Sequence, residues 1–249
     1  MRRIHIAAGA GLLTVCAPLA AQSYYFSDNF TPLNSSNWVF NGTATNTFGT
    51  GLESNYYGYA PGSAISRLAT PGGNGDVLAR ITVHLVPGYW PANTYAVLVR
   101  ATPDAITAVN GPDAGTFYAF ALNGPNYPGP TCSAGVRLYK RVGGVVTTLA
   151  QFGYPCHDGM ILQMAAQGNQ LLVSIDTTRT ATFTDSDITG GAPGASVVTS
   201  TGASSVSYIQ LGAAGPTPPG PPGTPTLSAF PNHVDLQWAA AHPHTPVVG

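Results

Sequence analysis

Short runs of β-forming residues, separated by turn residues, limit the folds open to this chain more than any other feature. Between residues 24 and 212 the runs are four to nine residues long and end at Gly, Pro, Asn or Asp. In residues 76–85, apolar side chains such as Val77 and Val83 fall on one face of an extended chain, and polar side chains such as Arg80 fall on the other. No segment shows a sustained helical repeat. The pattern predicts an all-β domain.

Ten of these runs are long enough to predict individual strands. They are residues 76–85, 94–101, 116–123, 134–142, 144–152, 160–167, 170–176, 180–184, 195–200 and 205–212. The chain also contains only one lysine, Lys140, and one glutamate, Glu53, so the residues that favour exposed helical faces are scarce. Stacking two sheets buries the apolar faces of so many short strands, so we predict a two-sheet antiparallel jelly-roll sandwich.

The first 21 residues have the features of a secretory signal peptide. Two arginines precede an apolar run, and small residues precede Gln22. No later segment approaches the apolar length of a transmembrane helix, so we expect a secreted, extracellular or cell-surface protein. Without Arg2 and Arg3, the nine basic residues become seven against ten acidic ones, a net charge of −3. This balance argues against a nucleic-acid partner.

Two cysteines, Cys132 and Cys156, remain after the leader is removed. An even pair in an exported chain predicts a disulfide. His157 and Asp158 follow Cys156 directly, but a zinc site needs four ligands and no second ligand pair is present. We therefore favour the disulfide over a zinc site.

The composition changes sharply after residue 214. Residues 215–225 read GPTPPGPPGTP, which predicts an extended linker, because proline cannot donate to a sheet ladder. Residues 226–249 alternate again around Val234 and Leu236 but are too few to bury a core. We therefore divide the chain into a signal peptide (1–21), a sandwich (22–214), a linker (215–225) and an incomplete β segment (226–249).

The order of motifs across residues 24–212 resembles the concanavalin A-like lectin/glucanase superfamily, including laminin G-like modules. The segments that carry the resemblance are FSDNFTPLNSSNWVF, YAFALN with GVRLYKRVGGVVTTLAQ, and LQMAAQGNQLLVSIDTTRTATFTDSDITGGAPG. The resemblance implies a jelly-roll sandwich in which Trp38 is a core residue. The tail, TLSAF followed by VDLQW, is similar to the first two strands of a fibronectin type III domain, with Trp238 in its core position. This implies further domains in a longer protein.

Catalysis by the glucanases of this superfamily requires a Glu-x-Asp-x-x-Glu motif, because one carboxylate attacks while another protonates the leaving oxygen. The motif is absent, and the sole glutamate, Glu53, has no acidic neighbour within twenty positions. We therefore lean against an enzyme and assign no catalytic residue.

Asp185 and Asp187 lie just before Gly190 and Gly191, where short polar side chains favour a turn. A structural calcium ion is the alternative cofactor, held by Asp28, Asp185 and Asp187, because carboxylate oxygens are its usual ligands.

Sugar binding needs aromatic faces and hydrogen-bonding side chains. Tyr89 and Trp90 lie in one Pro/Gly-bounded connection and Asn126 and Tyr127 in another, and His84 shares the polar face of its strand with Arg80. These residues are our candidate ligand-binding set. The alternative is that the loop aromatics pack against neighbouring prolines and the histidine is a solvated strand residue.

Taken together, these features predict an exported, non-catalytic carbohydrate-binding or adhesion module of a multidomain extracellular protein. Its partners would be polysaccharides or glycoprotein glycans. One alternative is a divergent polysaccharide hydrolase or lyase with His84 or Tyr127 as base. A second is a structural spacer domain of a surface protein.

Overall fold

The structure is a computed structural model that describes residues 24–47, 49–54, 61–73, 75–85, 94–107, 114–123, 135–198, 204–214, 226–230 and 233–237. The chain divides into two compact units, and the larger comprises Gln22–Thr217. Thirteen described strands belong to this unit: β1 (Tyr24–Asp28), β2 (Trp38–Gly42), β3 (Gly62–Ser66), β4 (Val77–His84), β5 (Thr94–Ala101), β6 (Phe117–Asn123), β7 (Val136–Val142), β8 (Val145–Phe152), β9 (Ile161–Gln167), β10 (Gln170–Ile175), β11 (Arg179–Thr184), β12 (Ala192–Val198) and β13 (Ser205–Ala213).

These strands form two antiparallel sheets. The six-stranded sheet has the order β1-β13-β4-β9-β10-β11, and the seven-stranded sheet has the order β2-β3-β12-β5-β6-β7-β8. Strands distant in sequence are neighbours in both sheets, as in the pairing of β1 with β13 and of β3 with β12. The two-sheet, all-β jelly-roll sandwich predicted from the sequence is confirmed.

The core lies between the two sheets and is built from alternate residues of the central strands. Val77, Ile81 and Val83 of β4 are fully buried in it, together with Tyr95 and Phe120 of the facing sheet. Each such side chain contributes about 1.5–3 kcal/mol when it is removed from water. The period-two alternation in residues 76–85 therefore predicted correctly which face of β4 meets the core.

The outer face of the seven-stranded sheet is also buried around β5 and β6, whereas Arg137 and Arg141 of β7 stay half-exposed on it. Ala96, Leu98 and Ala119 belong to a second apolar cluster on this face and are inaccessible to solvent. The chain that follows β5 crosses it, because the Ser63 hydroxyl donates to the carbonyl of Ala105 over 2.7 Å. β5 is therefore buried on both faces, whereas the sequence analysis predicted only that residues 94–101 form a strand.

All ten runs predicted to be strands are strands, with ends shifted by no more than a few residues. β12 begins at Ala192 and includes Pro193, which the prediction placed outside the strand. Its pairing with β5 shifts register between Ala192 and Gly194, and a bulge is where a central strand can accommodate proline. Strands β1, β2 and β3 lie outside the ten predicted runs, and the run GSAIS of β3 has small side chains that carry little β preference.

The smaller unit contains one described hairpin, in which β14 (Thr226–Phe230) pairs with β15 (His233–Gln237). Trp238 lies outside the described residues, and the fibronectin type III assignment remains a prediction. In the described part of the chain, no helix is long and apolar enough to cross a membrane.

Candidate functional site

Several strand ends meet at one end of the sandwich. Thr94, the first residue of β5, pairs with Asn123, the last residue of β6, and Leu122 pairs with Val136 at the start of β7. In the other sheet, His84 at the end of β4 pairs with Ser205 at the start of β13. The two segments predicted to contact sugar, 86–93 and 124–134, connect to these ends by chain continuity.

Tyr89, Trp90, Asn126 and Tyr127 lie outside the described residues, so their assignment to a ligand site remains a prediction. Cys132 also lies outside them. Cys156 is disulfide-bonded, and its pairing with Cys132 remains the expectation from the sequence.

Two histidines and two aspartates are paired at this end of the six-stranded sheet, and we call His84, His157, Asp158 and Asp176 the His–Asp rim. Nδ1 of His84 lies 3.0 Å from Oδ1 of Asp158. The same oxygen accepts the backbone N–H of Leu85 over 2.9 Å. Asp158 therefore holds both the ring of His84 and the chain that leaves β4, while His84 keeps 35% of its side chain exposed.

The second pair of the His–Asp rim joins His157 to Asp176, which directly follows β10. Nε2 of His157 lies 2.8 Å from Oδ2 of Asp176, and Nδ1 of His157 lies 2.9 Å from the carbonyl of Asp158. Because both ring nitrogens face acceptors, the arrangement favours the doubly protonated ring. The hydrogen bond to the carbonyl of Asp158 and that to Asp176 accordingly raise the pKa of His157.

Both aspartates of the His–Asp rim are held in the charged form. Burial by itself would raise the pKa of Asp176, but hydrogen bonds from the Ile161 N–H, His157 and Tyr154 together lower it. Burial opposes ionisation of Asp158 too, and the N–H of Leu85 with the nearby His84 outweighs it, so the pKa of Asp158 is also lowered. The His–Asp rim thus uses two ionised carboxylates to hold two imidazoles, of which His84 keeps 35% and His157 keeps 52% of the side chain exposed.

Sequence reasoning found only one member of the His–Asp rim as a candidate ligand group, His84. Its partner Asp158 is 74 positions away, and no local pattern signals that contact. His157 and Asp158 were considered as zinc ligands and set aside, and Asp176 was placed at the end of the predicted strand 170–176. In the structure Asp176 directly follows β10 and has a positive φ of 50°.

The three aspartates proposed for calcium are not brought together. Asp28 ends β1 and Asp185 follows β11, and these strands are at opposite edges of the six-stranded sheet, about 24 Å apart at the usual strand spacing. The carboxylate of Asp28 accepts the indole N–H of Trp38 and the backbone N–H of Phe30, each over 2.7 Å. A single calcium site formed by all three aspartates is therefore ruled out by their separation.

Asp185 and Asp187 instead share the amine of Lys140, which donates to both carboxylates. Oδ1 of Asp185 also accepts the N–H of Asp187 over 3.0 Å, as expected for a turn, and the hydroxyl of Tyr118 over 2.5 Å. The interpretation of these aspartates as turn residues is confirmed, with an added ion pair. Among the described residues, no group of three or more His, Cys, Asp or Glu could hold a metal ion.

Replacing Tyr118 with phenylalanine is expected to alter the alkaline limit of stability. Burial and the hydrogen bond to Asp185 raise the pKa of Tyr118 from 10.0 to about 12. The neutral phenol therefore stabilises the fold fully below pH 10.0, and this contribution is lost as the pH rises through about 12. Between pH 10.0 and about 12, the free energy of unfolding measured in urea should fall less for Tyr118→Phe than for the unaltered chain. Equal losses would contradict the assignment.

The sole glutamate, Glu53, is almost fully buried, and its carboxylate accepts the N–H of Thr47 over 3.1 Å and the hydroxyl of Thr50 over 2.9 Å. It holds the chain segment before β3 and lies among structural contacts.

Comparison with models of known protein families and with curated proteins gives no match. Among solved structures, the carbohydrate binding module CBM66 from Bacillus subtilis is similar, with 17% identity and a TM-score of 0.49 over 70% of this chain and 91% of that chain. The exoplasmic/lumenal domain of VIP36 in a Ca²⁺/Man-bound form has 12% identity and a TM-score of 0.48 over 70% of this chain and 82% of that chain. A glycosidic hydrolase has 12% identity and a TM-score of 0.47 over 78% of this chain and 97% of that chain.

Proposed function

We propose that this chain is an exported, non-catalytic carbohydrate-binding or adhesion module of a multidomain extracellular protein, and that it binds glycan at the end of the sandwich that carries the His–Asp rim. The observation that carries the proposal is the adjacency of Thr94 and Asn123. Residues 86–93 and 124–134 begin or end at these neighbours. The residues that we expect to contact sugar, Trp90 and Tyr127 among them, belong to these two segments of the sequence.

His84 suits a binding role at this end. Asp158 contacts its Nδ1, so Nε2 is the ring nitrogen directed to other groups. A carboxylate at Nδ1 favours the tautomer with the proton on that nitrogen, which leaves Nε2 as an acceptor for a sugar hydroxyl. Half-exposed, fixed polar groups beside aromatic side chains are the usual composition of a sugar site.

The same pair supports a second candidate function, a divergent polysaccharide hydrolase or lyase. A carboxylate that orients a histidine is the arrangement by which enzymes prepare a general base. His84 at 3.0 Å from Asp158 meets this geometric requirement. Binding and turnover must therefore be measured together.

A glycan array probed with the full chain, recovered from the medium of a secreting host, tests the proposal. We expect binding to a subset of glycans that falls at least about tenfold in Trp90→Ala, because an aromatic platform contributes about 0.5–1.5 kcal/mol beyond its buried area. Trp90→Phe, which keeps an aromatic ring, should retain part of the affinity. Val145→Ala is the matched control, because Val145 is exposed on the β7–β8 hairpin, away from the His–Asp rim.

Reducing-sugar and unsaturated-product assays on the bound glycans separate the two candidate functions. Binding without product formation supports the module. Product formation that is lost in His84→Ala would establish the enzyme and overturn the non-catalytic assignment. Failure to bind any glycan would reject both and favour a structural spacer domain.

A further inference from the structure

The outer face of β7 carries two arginines without an acidic partner. Arg137, Tyr139 and Arg141 alternate with Val136, Leu138 and Lys140, and the latter three side chains face the opposite sheet. Every ion pair among the described residues involves Arg100, Lys140, His84 or His157 as the cation. The guanidinium groups of Arg137 and Arg141 are therefore uncompensated in the described part of the chain.

The hydrogen bonding of these arginines is also incomplete. The Nε–H groups of Arg137 and Arg141 are removed from water and have no acceptor among the described residues. A buried donor without an acceptor is unfavourable, so the fold maintains both groups at a cost. The only charge close behind them in β7, Lys140, is neutralised by Asp185 and Asp187 on the other face. The outer face of β7 thus presents two positive charges.

Arg137 is half-exposed, with a small neighbour on one side and a polar neighbour on the other. In the register of the sheet, Ala121 of β6 lies beside Arg137 on one side and Gln151 of β8 on the other. The guanidinium of Arg137 lies over the ring of Tyr139, with 4.8 Å from Cζ to the ring centroid. Stacking on an aromatic ring orients the guanidinium, which favours bidentate contact with a planar carboxylate.

We propose that the outer face of β7 binds the carboxylate groups of an acidic polysaccharide through Arg137 and Arg141. This inference rests on the proposed carbohydrate binding and adds a second surface to it. Four residues of extended chain place the Cα atoms of the two arginines about 14 Å apart, a span longer than one sugar ring. The site therefore suits an extended uronic acid oligomer, in which carboxylates recur along the chain.

Isothermal titration calorimetry of the full chain with oligogalacturonate, its fully methyl-esterified form and single-stranded DNA tests the proposal. We expect oligogalacturonate to bind more weakly at high salt, because salt screens the attraction between its carboxylates and the arginines. The methyl ester has no charged carboxylates, so we expect it not to bind at this surface. Arg137→Gln and Arg141→Gln should each weaken binding at least about tenfold, because each removes hydrogen bonds to a charged group. Arg137→Lys should also weaken it, because an ammonium cannot make the bidentate contact.

Arg80→Gln is the matched control, because Arg80 is a half-exposed arginine on β4 of the other sheet. Thermal unfolding of each variant verifies that it is folded, and Arg137→Lys keeps the test valid if one glutamine variant fails to fold. Unchanged affinity in the Arg137 and Arg141 variants, equal binding of the ester, or equal binding of single-stranded DNA would overturn the inference. If neutral glycans bind in a Trp90-dependent manner while oligogalacturonate does not bind, this inference fails and the proposed function stands. If no glycan binds at all, both fail.

Discussion

Replacement of Arg100 with methionine is expected to lower the free energy of unfolding by about 3–5 kcal/mol, as removal of one partner from a buried charged network does. The guanidinium is 1% exposed and donates to three carbonyl oxygens: Gly75 over 2.6 Å, Ile188 over 2.7 Å and Gly168 over 2.6 Å. Methionine has a similar length but no donors. Three buried or half-buried carbonyls would then lose their partner.

The position of Arg100 explains why one side chain joins so many segments. Its φ of 51° lies in the left-handed region, and the pairing of β5 with β12 shifts register beside it. The shift turns Arg100 toward the interior, where it reaches the turns before β4, after β9 and before β12. Gly191 packs so closely on the backbone of Arg100 that a side chain there would overlap it. The interaction therefore closes one end of the sandwich.

Two further variants separate this role from a general effect of removing charge. Arg100→Lys keeps the charge but cannot contact three carbonyls in the same geometry. The decrease in its free energy of unfolding, measured in urea, should therefore be smaller than that of Arg100→Met but greater than zero. Arg80→Met removes a half-exposed arginine and should change the unfolding free energy by less than about 1 kcal/mol. A loss below about 1 kcal/mol in Arg100→Met would show that the three carbonyls find other partners.

Ten of the thirteen described strands of the sandwich were predictable because their signals are local. Period-two alternation, as in residues 76–85, and glycine or aspartate at the turns reflect the conformational preferences of each segment alone. The same reasoning missed β3, whose Gly, Ser and Ala residues become a strand only because β2 and β12 pair with them on both sides. It also gave no indication that both faces of β5 are buried.

The candidate sites were less predictable, because their contacts join distant residues. His84 meets Asp158 and Lys140 meets Asp185 only after β4, β7, β9 and β11 have taken their places in two sheets. Pairing of strands determines these neighbours, and no short motif encodes it. Asp185 and Asp187 illustrate the limit: the turn they form was visible in the sequence, whereas the lysine that neutralises them was not.

Trp38 shows a case in which a family resemblance predicted the correct role and the structure supplied the reason. The indole ring is fully buried and contacts Phe26 and Phe30 with centroid distances of 5.7 and 5.2 Å. Its N–H donates to Asp28, whose other oxygen accepts the N–H of Phe30. The carboxylate considered for calcium thus anchors the core tryptophan to the end of β1.

Replacement of Trp38 with alanine is expected to cost about 3–5 kcal/mol in the free energy of unfolding, because it leaves a cavity beneath two aromatic rings. Trp38→Phe keeps much of the ring but removes the donor, so the half-buried carboxylate of Asp28 loses a partner and about 1–3 kcal/mol should be lost. Both values are measured by urea unfolding of the full chain. Tyr208→Ala is the control, because Tyr208 is a 37% exposed aromatic residue on β13.

A double-mutant cycle isolates the bond between the indole and the carboxylate from the packing of the ring. Asp28→Asn keeps the shape of the side chain and removes its charge, and the amide can still accept one hydrogen bond. If the contact stabilises the fold, the decreases in unfolding free energy of Trp38→Phe and Asp28→Asn should add up to more than the decrease in the double variant. The difference, which is the coupling energy, should be about 0.5–3 kcal/mol. Strictly additive losses would mean that Trp38 stabilises this end of β1 through packing alone, and that Asp28 acts through the N–H of Phe30.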